Sequence, residues 1–117
     1  MKLIIAGSRT LKPSVKEIAS VVYANRIAIT QVVSGTAGGV DRCGEAYAVA
    51  ADQPIKRFPA DWDTYGKAAG HIRNKKMAEY ADALLLIWDG KSKGSANMKT
   101  NMQKLNKPIY EVIVKWK

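Results

Sequence analysis

The 117-residue sequence predicts an α/β fold in which helices cover both faces of a mostly parallel, five-stranded sheet. Two observations carry this prediction. Short apolar runs of strand length alternate with segments of helix length along the whole chain. The run Ala83–Trp88 is apolar at every position, which is typical of a central parallel strand buried on both faces. Such an alternation forms right-handed βαβ units, so we expect a Rossmann-like three-layer αβα sandwich, as one domain over residues 1–117.

The first half of the chain contains three predicted strands and two predicted helices. Lys2–Ala6 is a compact apolar run, and Pro13 is suited to open a helix that continues to about Arg26. The next elements are a strand over Ala28–Ser34, a helix from Val40 to about Asp52 and a strand over Ile55–Phe58. The expected inward faces are Val15, Ile18 and Val22 on the first helix and Val40, Cys43, Tyr47 and Ala50 on the second.

The second half adds two strands and two helices. Ala68–Ala81 is expected to be helical, although its amphipathic pattern is less clean. The strand Ala83–Trp88 follows, and Ser95 can cap another helix that ends before Pro108. The expected inward face of that helix consists of Met98, Met102 and Leu105. Ile109–Val114 supplies the last strand.

The net charge of the chain is +9, and most of the excess lies after Ile55. Residues 1–55 carry six basic and four acidic side chains, whereas residues 56–117 carry thirteen and six. A field of this sign favours anionic partners, either a phosphorylated ligand or nucleic acid. Scattered lysines that simply keep the surface soluble are the alternative.

Cysteine and histidine are too few for a metal centre. Cys43 is the only cysteine and His71 the only histidine, so neither a disulfide nor a transition-metal site is expected, and we expect no cofactor. The apolar start of the chain is too short for a signal peptide, and no stretch approaches the length of a membrane span. These features predict a cytoplasmic protein without a membrane partner.

Glycine and hydroxyl residues follow three of the predicted strands. Since ligands of parallel sheets bind beyond the carboxyl ends of the strands, these three loops are expected to converge on one site. Glycine lets the backbone approach a phosphate, and the amides at a helix start donate hydrogen bonds to an anion. The ligand-binding candidates in the loops are Gly7, Ser8, Arg9, Gly35, Thr36, Gly38, Gly39, Asp41, Asp89, Gly90, Ser92, Gly94 and Ser95. We therefore expect a phosphate or nucleotide site at this edge.

The loop from Ser34 to Asp41 matches neither of two familiar phosphate-binding patterns. It lacks the Lys-Ser/Thr ending of the ATPase phosphate loop and the glycine spacing of the dinucleotide fold. Both departures argue against ordinary ATPase or dehydrogenase activity.

Three further candidates lie between the third and fourth strands. Trp62 sits in a polar loop where its ring can stack on a base, or it packs the loop onto the core. Arg73 and Asn74 lie in the first turns of the following helix. Arg73 either binds the ligand or pairs with Asp61 or Asp63.

No catalytic residue can be assigned from the sequence, and three carboxylates are candidates for acid–base roles. Asp41 begins the second helix, where it either caps the backbone or acts on a ligand. Asp89 follows a buried strand, where it either forms a turn with Gly90 or acts chemically. Glu45 lies inside the second helix.

Five motifs in order resemble the YspA-like, cpYpsA-related branch of the SLOG superfamily, which also contains DprA and the LOG phosphoribohydrolases. The motifs are the segments 5–9 (IAGSR), 34–41 (SGTAGGVD), 60–62 (ADW), 69–77 (AGHIRNKKM) and 88–95 (WDGKSKGS). The resemblance implies a Rossmann-like fold, a nucleotide-derived ligand held by these loops, and a homo-oligomer. The sequence departs from the LOG phosphoribohydrolases, because their pattern Pro-Gly-Gly-x-Gly-Thr and its catalytic glutamate are absent here.

Three functions follow as expectations. The first is binding of a nucleotide-derived small molecule, sensing or sequestering a phosphate-bearing signal such as a cyclic nucleotide or an ADP-ribose derivative. The second is hydrolysis of a nucleotide, as an N-glycosidase, phosphoribohydrolase or phosphohydrolase. The third, less favoured, is nucleic-acid binding, whose affinity would fall steeply with salt.

Overall fold

Five parallel strands form one sheet in the computed structural model, which describes residues 1–114. The strands are β1 (Lys2–Gly7), β2 (Gln31–Ser34), β3 (Ile55–Arg57), β4 (Ala83–Trp88) and β5 (Ile109–Ile113). They lie in the order β3-β2-β1-β4-β5, and every neighbouring pair is parallel. The predicted five-stranded α/β architecture is confirmed, and the sheet is parallel throughout.

Four main helices cover the two faces of this sheet. They are α1 (Val15–Ala24), α2 (Val40–Ala50), α4 (Ala69–Tyr80) and α5 (Lys93–Lys104), with a short α3 (Trp62–Tyr65) and a 3₁₀ turn (Gly66–Ala68) before α4. α1 and α2 bury their apolar residues on one face, and α4 and α5 on the other. This arrangement confirms the Rossmann-like three-layer sandwich.

The alternation of side chains along β1 explains why two separate cores form. Leu3 and Ile5 point to the α1–α2 face, where they pack with Ile18, whereas Ile4 points to the α4–α5 face and packs with Met77. β4 does the same, and all six of its residues are buried. A strand with helices on both sides needs apolar residues at every position, as the sequence predicted.

Several predicted boundaries on the α1–α2 side are wrong by a few residues. α1 begins at Val15, because Ser14 caps it through a reciprocal capping box with Glu17. Val15, the first residue of α1, is exposed although it was predicted to face inward, and so is Ala50 at the end of α2. β2 begins at Gln31 rather than Ala28, because the first residue of β1 pairs with Gln31 and leaves residues 28–30 beyond its end.

Two predictions on the α4–α5 side also need correction. Ser92, not Ser95, is the N-cap of α5, and Ser95 lies inside the first turn with its hydroxyl hydrogen-bonded to Ser92 Oγ. Leu105 is 43% exposed because the helix already ends at Lys104. The predicted inward residues Met98 and Met102 are buried. Within residues 1–114, no helix has the length and apolar character needed to cross a membrane.

Gly44 lets α2 approach β1 closely, which provides a test of the packing. A methyl group on Gly44 would lie 2.8 Å from Cβ and Cγ2 of Ile5. We expect Gly44→Ala to lower the free energy of unfolding by about 1–2 kcal/mol, although alanine favours helices intrinsically. Urea unfolding measures this change.

Gly94→Ala in α5 is the matched control. A methyl group there meets no atom within 4 Å, so the free energy of unfolding should stay unchanged or rise by up to about 1 kcal/mol. Equal stability of the Gly44→Ala and wild-type proteins would contradict the close contact between α2 and β1.

Candidate functional site

A pocket opens at the carboxyl edge of the sheet between β1 and β4, where the strand order reverses. This main pocket has a volume of about 380 Å³. It is lined by Ala6, Gly7, Ser8, Arg9, Thr10, Ala37, Asp41, Arg73, Asn74, Met77, Asp89, Ser92, Gly94, Ser95 and Met98. Residues of all three glycine-containing loops thus meet there.

A second pocket of about 280 Å³, the side pocket, adjoins the first. It is lined by Arg9, Gly35, Thr36, Ala37, Gly38, Pro59, Ala60, Trp62 and Arg73. Three residues, Arg9, Ala37 and Arg73, line both pockets. The two pockets therefore adjoin and make up one depression of two parts, with two arginines at the junction.

Ser8 connects the three loops. Its amide donates to the carbonyl of Ile87 (3.1 Å), and its own carbonyl accepts from the amide of Val40 (3.3 Å). Its hydroxyl donates to Asp89 Oδ1 and accepts from the Asp89 amide. Ser8 is 2% exposed, so its bonds fix the loops relative to each other and leave little of the side chain for a ligand.

The loop between β2 and α2 fits tightly against the loop after β1. Gly39 has a φ of +66°, and a methyl group there would lie 2.4 Å from the carbonyl oxygens of Ser8 and Arg9. Only glycine satisfies both the left-handed backbone and this contact. Thr36 also has a positive φ, of +63°. Gly39 lines neither pocket, and its role is to let α2 begin beside the site.

Asp89 organises the loop before α5. Its Oδ1 accepts hydrogen bonds from the amides of Lys91 (2.8 Å) and Ser92 (3.1 Å) as well as from Ser8. The hydrogen bond from the Lys91 amide, and to a smaller extent the other bonds, lower the pKa of Asp89. The carboxylate is thus anionic at neutral pH and engaged with its own loop, which is the turn-forming alternative that the sequence left open.

Arg73 is held at the junction by its own neighbours. Its Nη1 donates to the carbonyl of Gly35, and its Nε donates to Asn74 Oδ1 at 2.9 Å. Asn74, buried between α4 and α5, donates to the Gly94 carbonyl (3.2 Å) and to Asn97 Oδ1 (3.1 Å). Asn74 therefore both ties the two helices together and orients the guanidinium.

Within residues 1–114, neither Arg9 nor Arg73 has a carboxylate in ion-pair contact. Over residues 1–114 the ion pairs are Arg57–Glu45 and Lys99–Glu111. Burial lowers the pKa of Arg73; Asp41 raises it and Arg9 lowers it further. Arg9 and Arg73 line the same two pockets, and an anion bound between them would relieve the repulsion of their positive charges.

Asp41 is the buried carboxyl group of the main pocket, at 6% exposed. Its Oδ2 accepts from the Ala37 amide at 3.2 Å, which holds the loop before α2. Burial raises the pKa of Asp41, against the opposing effects of that hydrogen bond and of Arg73. Asp41 does not cap α2, whose N-cap is Gly39 without a side-chain hydrogen bond, so the capping alternative is wrong; burial favours the protonated form of its carboxyl group.

Glu45 lies outside both pockets. Its carboxylate accepts from Ser34 Oγ (2.7 Å) and from Arg57 Nε (3.0 Å). Burial acts to raise the pKa of Glu45, but the hydrogen bonds from Ser34 and Arg57 outweigh it and lower the value. The structure thus places this acid–base candidate in a network between α2 and β3 that reaches Ser34, at the start of the predicted phosphate loop, but lies outside the two pockets.

Trp62 stands on the rim of the side pocket and is 53% exposed. It begins α3, which Asp61 caps by accepting from the Thr64 amide at 3.1 Å. The exposed ring does not pack the loop onto the core, which was the alternative to a base-stacking role. Arg73 pairs with neither Asp61 nor Asp63, the other alternative that the sequence left open.

Most of the predicted site residues line one of the two pockets, and three do not. Gly39 and Glu45 have the places described above, and Gly90 forms the turn after Asp89 with a φ of +83°. The lining residues that the sequence-based site did not include are Ala6, Thr10, Ala37, Pro59, Ala60, Met77 and Met98. All of them except Met98 lie within or next to the quoted motifs, which is the signal that would have found them.

The described part of the chain contains no group of three or more His, Cys, Asp or Glu side chains placed to hold a metal ion. No protein-family model, curated protein or solved structure matches the chain. Membership of the SLOG superfamily, and the homo-oligomer that it implies, accordingly stay predictions from the motifs. The functional argument rests on the geometry of the site.

The raised pKa of Asp41 provides a test of the main pocket. A carboxyl group whose pKa is raised in the folded protein stabilises the fold at pH values below its ordinary pKa of 3.8. This stabilisation is lost as the pH rises through the raised pKa. At pH 7, Asp41→Asn should therefore raise Tm by roughly 2–5 °C. Below about pH 4 the gain should shrink, as seen by thermal unfolding at a series of pH values.

Asp63→Asn is the control, because Asp63 is exposed. Its Tm should stay within about 1 °C of the wild type at every pH. A loss of stability in Asp41→Asn at neutral pH would show that the ionised carboxylate is a net stabilising group and would contradict the assignment.

Proposed function

We propose that the junction of the main pocket and the side pocket binds the phosphate of a nucleotide-derived small molecule, so that the protein senses or sequesters this ligand. The observation that carries the proposal is the pair Arg9 and Arg73. Both border the two pockets, and neither takes part in an ion pair within residues 1–114. A guanidinium offers planar, forked hydrogen bonding that suits a phosphate.

The surrounding backbone supports an anionic ligand. α2 and α5 both begin at this edge, so the positive ends of two helix dipoles lie beside the main pocket. The hydroxyl of Ser92 caps α5, and Gly94 in its first turn leaves open space for a ligand to approach the backbone. These features favour a phosphate at the arginines.

The side pocket supports a base. The ring of Trp62 is half-exposed on its rim, and Pro59 and Ala60 complete an apolar wall. Stacking of a base on an aromatic side chain contributes about 1–3 kcal/mol. A nucleotide with its base on Trp62 places its phosphate next to Arg9 and Arg73.

Binding of nucleotide probes by isothermal titration calorimetry tests the proposal. The probes are AMP, 3′,5′-cyclic AMP and ADP-ribose, and at least one should bind. Arg9→Ala should weaken that binding by about 10-fold or more, because a charge-assisted hydrogen bond is lost. Arg26→Gln, which removes an equal charge at the end of α1, should leave the affinity unchanged. Absence of binding by all three probes would overturn the proposal.

Hydrolysis is a second candidate function because of Asp41. A buried carboxyl group with a raised pKa beside two arginines has the properties of a general acid. If the protein turns a bound nucleotide over, Asp41→Asn should lower the rate by about 100-fold or more while binding persists.

Chromatography of the nucleotide after incubation distinguishes the two functions. Recovery of intact ligand from the wild-type protein supports sensing or sequestration. Release of a free base or a sugar phosphate, lost in Asp41→Asn, supports hydrolysis. The same rate of release from both proteins would exclude Asp41 as the acid.

A further inference from the structure

The guanidinium of Arg73 lies in the wall between the main pocket and the side pocket and faces both. On one side, Nη1 reaches the carbonyl of Gly35, and a methyl group on Gly35 would lie 3.0 Å from Nη1 and 2.8 Å from Asp41 Oδ2. On the other side, a methyl group on Gly70 would lie 3.9 Å from Nη2 and 3.6 Å from Trp62 Cη2. Nη1 is thus placed between Gly35, which lines the side pocket, and Asp41, which lines the main pocket, while Nη2 lies towards Trp62.

The two pockets offer different chemistry on either side of this group. The side pocket presents an aromatic ring with Pro59 and Ala60, which suits a flat base. The main pocket presents carboxyl and hydroxyl groups, including Asp41, Asp89 and Ser92, over an apolar floor. Such polar groups suit the several hydroxyls of a sugar, which both donate and accept hydrogen bonds.

A mononucleotide would leave part of this depression empty. With its base on Trp62 and its terminal phosphate at Arg73, it would occupy the side pocket and end at the junction. The main pocket, which is the larger at about 380 Å³, would hold only water. The buried carboxyl group of that pocket, Asp41, would contact no part of such a ligand.

We infer that the ligand carries its phosphate in the middle. A phosphodiester or diphosphate at Arg9 and Arg73 joins a nucleoside in the side pocket to a second, hydroxyl-rich group in the main pocket. The inference rests on the proposed function and names its ligand class. A ligand with an internal phosphate places a group in the pocket on each side of Arg73, whereas a ligand with a terminal phosphate places a group in only one of the two pockets.

Calorimetry with probes that divide the ligand into its parts tests the inference. AMP represents the side-pocket half and ribose 5-phosphate the main-pocket half. ADP-ribose and adenylyl-(3′,5′)-adenosine are the two bridged probes. We expect at least one bridged probe to bind about 10-fold or more tightly than either half, because it gains the contacts of both pockets.

Two variants assign the halves to their pockets. Trp62→Ala should weaken the binding of AMP and of the bridged probe by about 10-fold and leave the affinity for ribose 5-phosphate unchanged. Gly94→Met introduces a side chain into open space beside the main pocket. It should weaken the binding of ribose 5-phosphate and of the bridged probe and leave the affinity for AMP unchanged. Lys104→Met, at the far end of the same helix, is the control and should change none of the affinities.

The results separate this inference from the proposed function. If AMP binds as tightly as both bridged probes, the bridging phosphate is overturned while nucleotide binding stands. The same holds if Gly94→Met leaves the bridged probe unaffected. If no probe binds to the wild-type protein, both proposals fall.

Discussion

The hydrogen bonds of Ser8 hold the loops of the candidate site together. β1 lies beside both β2 and β4, so the residue that follows it meets the loops of both neighbours. Through its amide, carbonyl and hydroxyl, Ser8 bonds to the ends of β4 and α2. Because the residue is buried, each of these bonds replaces one with water, and losing a partner would leave an unsatisfied polar group. The positions of Arg9 and Asp89 follow from this arrangement.

The close contacts around Ser8 restrict the sequence at several positions. α2 begins beside the site because Gly39 packs on the carbonyls of Ser8 and Arg9, and it lies against β1 because Gly44 packs on Ile5. Arg73 crosses to the β2 loop because Gly35 has no side chain. The glycines of this chain therefore serve different purposes: some allow an unusual backbone conformation, and others let two segments of the protein pack closely together. Local sequence patterns do not distinguish these purposes.

The periodicity of apolar residues was sufficient to predict the layers and the five strands. Burial on both faces makes every residue of β4 apolar, and this signal is local to the strand. The convergence of the three loops was also predictable, since it follows from parallel strands. Helix ends were predicted less well, because Ser92 and Ser95 are equally good caps by residue type. The roles of Asn74 and Glu45 depend on partners distant in sequence, which a single sequence does not reveal.

The chemistry of the site depends on the contrast between its two aspartates. Asp89 is surrounded by donors, so its charge is compensated by its own loop and its pKa is lowered. Asp41 is surrounded mainly by buried protein, and its pKa is raised. A phosphate at Arg9 and Arg73 would bring further negative charge towards Asp41 and would raise the pKa of that carboxyl again. The bound state would then favour the protonated acid, which can donate a hydrogen bond to a ligand oxygen. Burial and a bound anion thus shift the pKa of Asp41 in the same direction, and both favour the form of the carboxyl group that can donate a hydrogen bond.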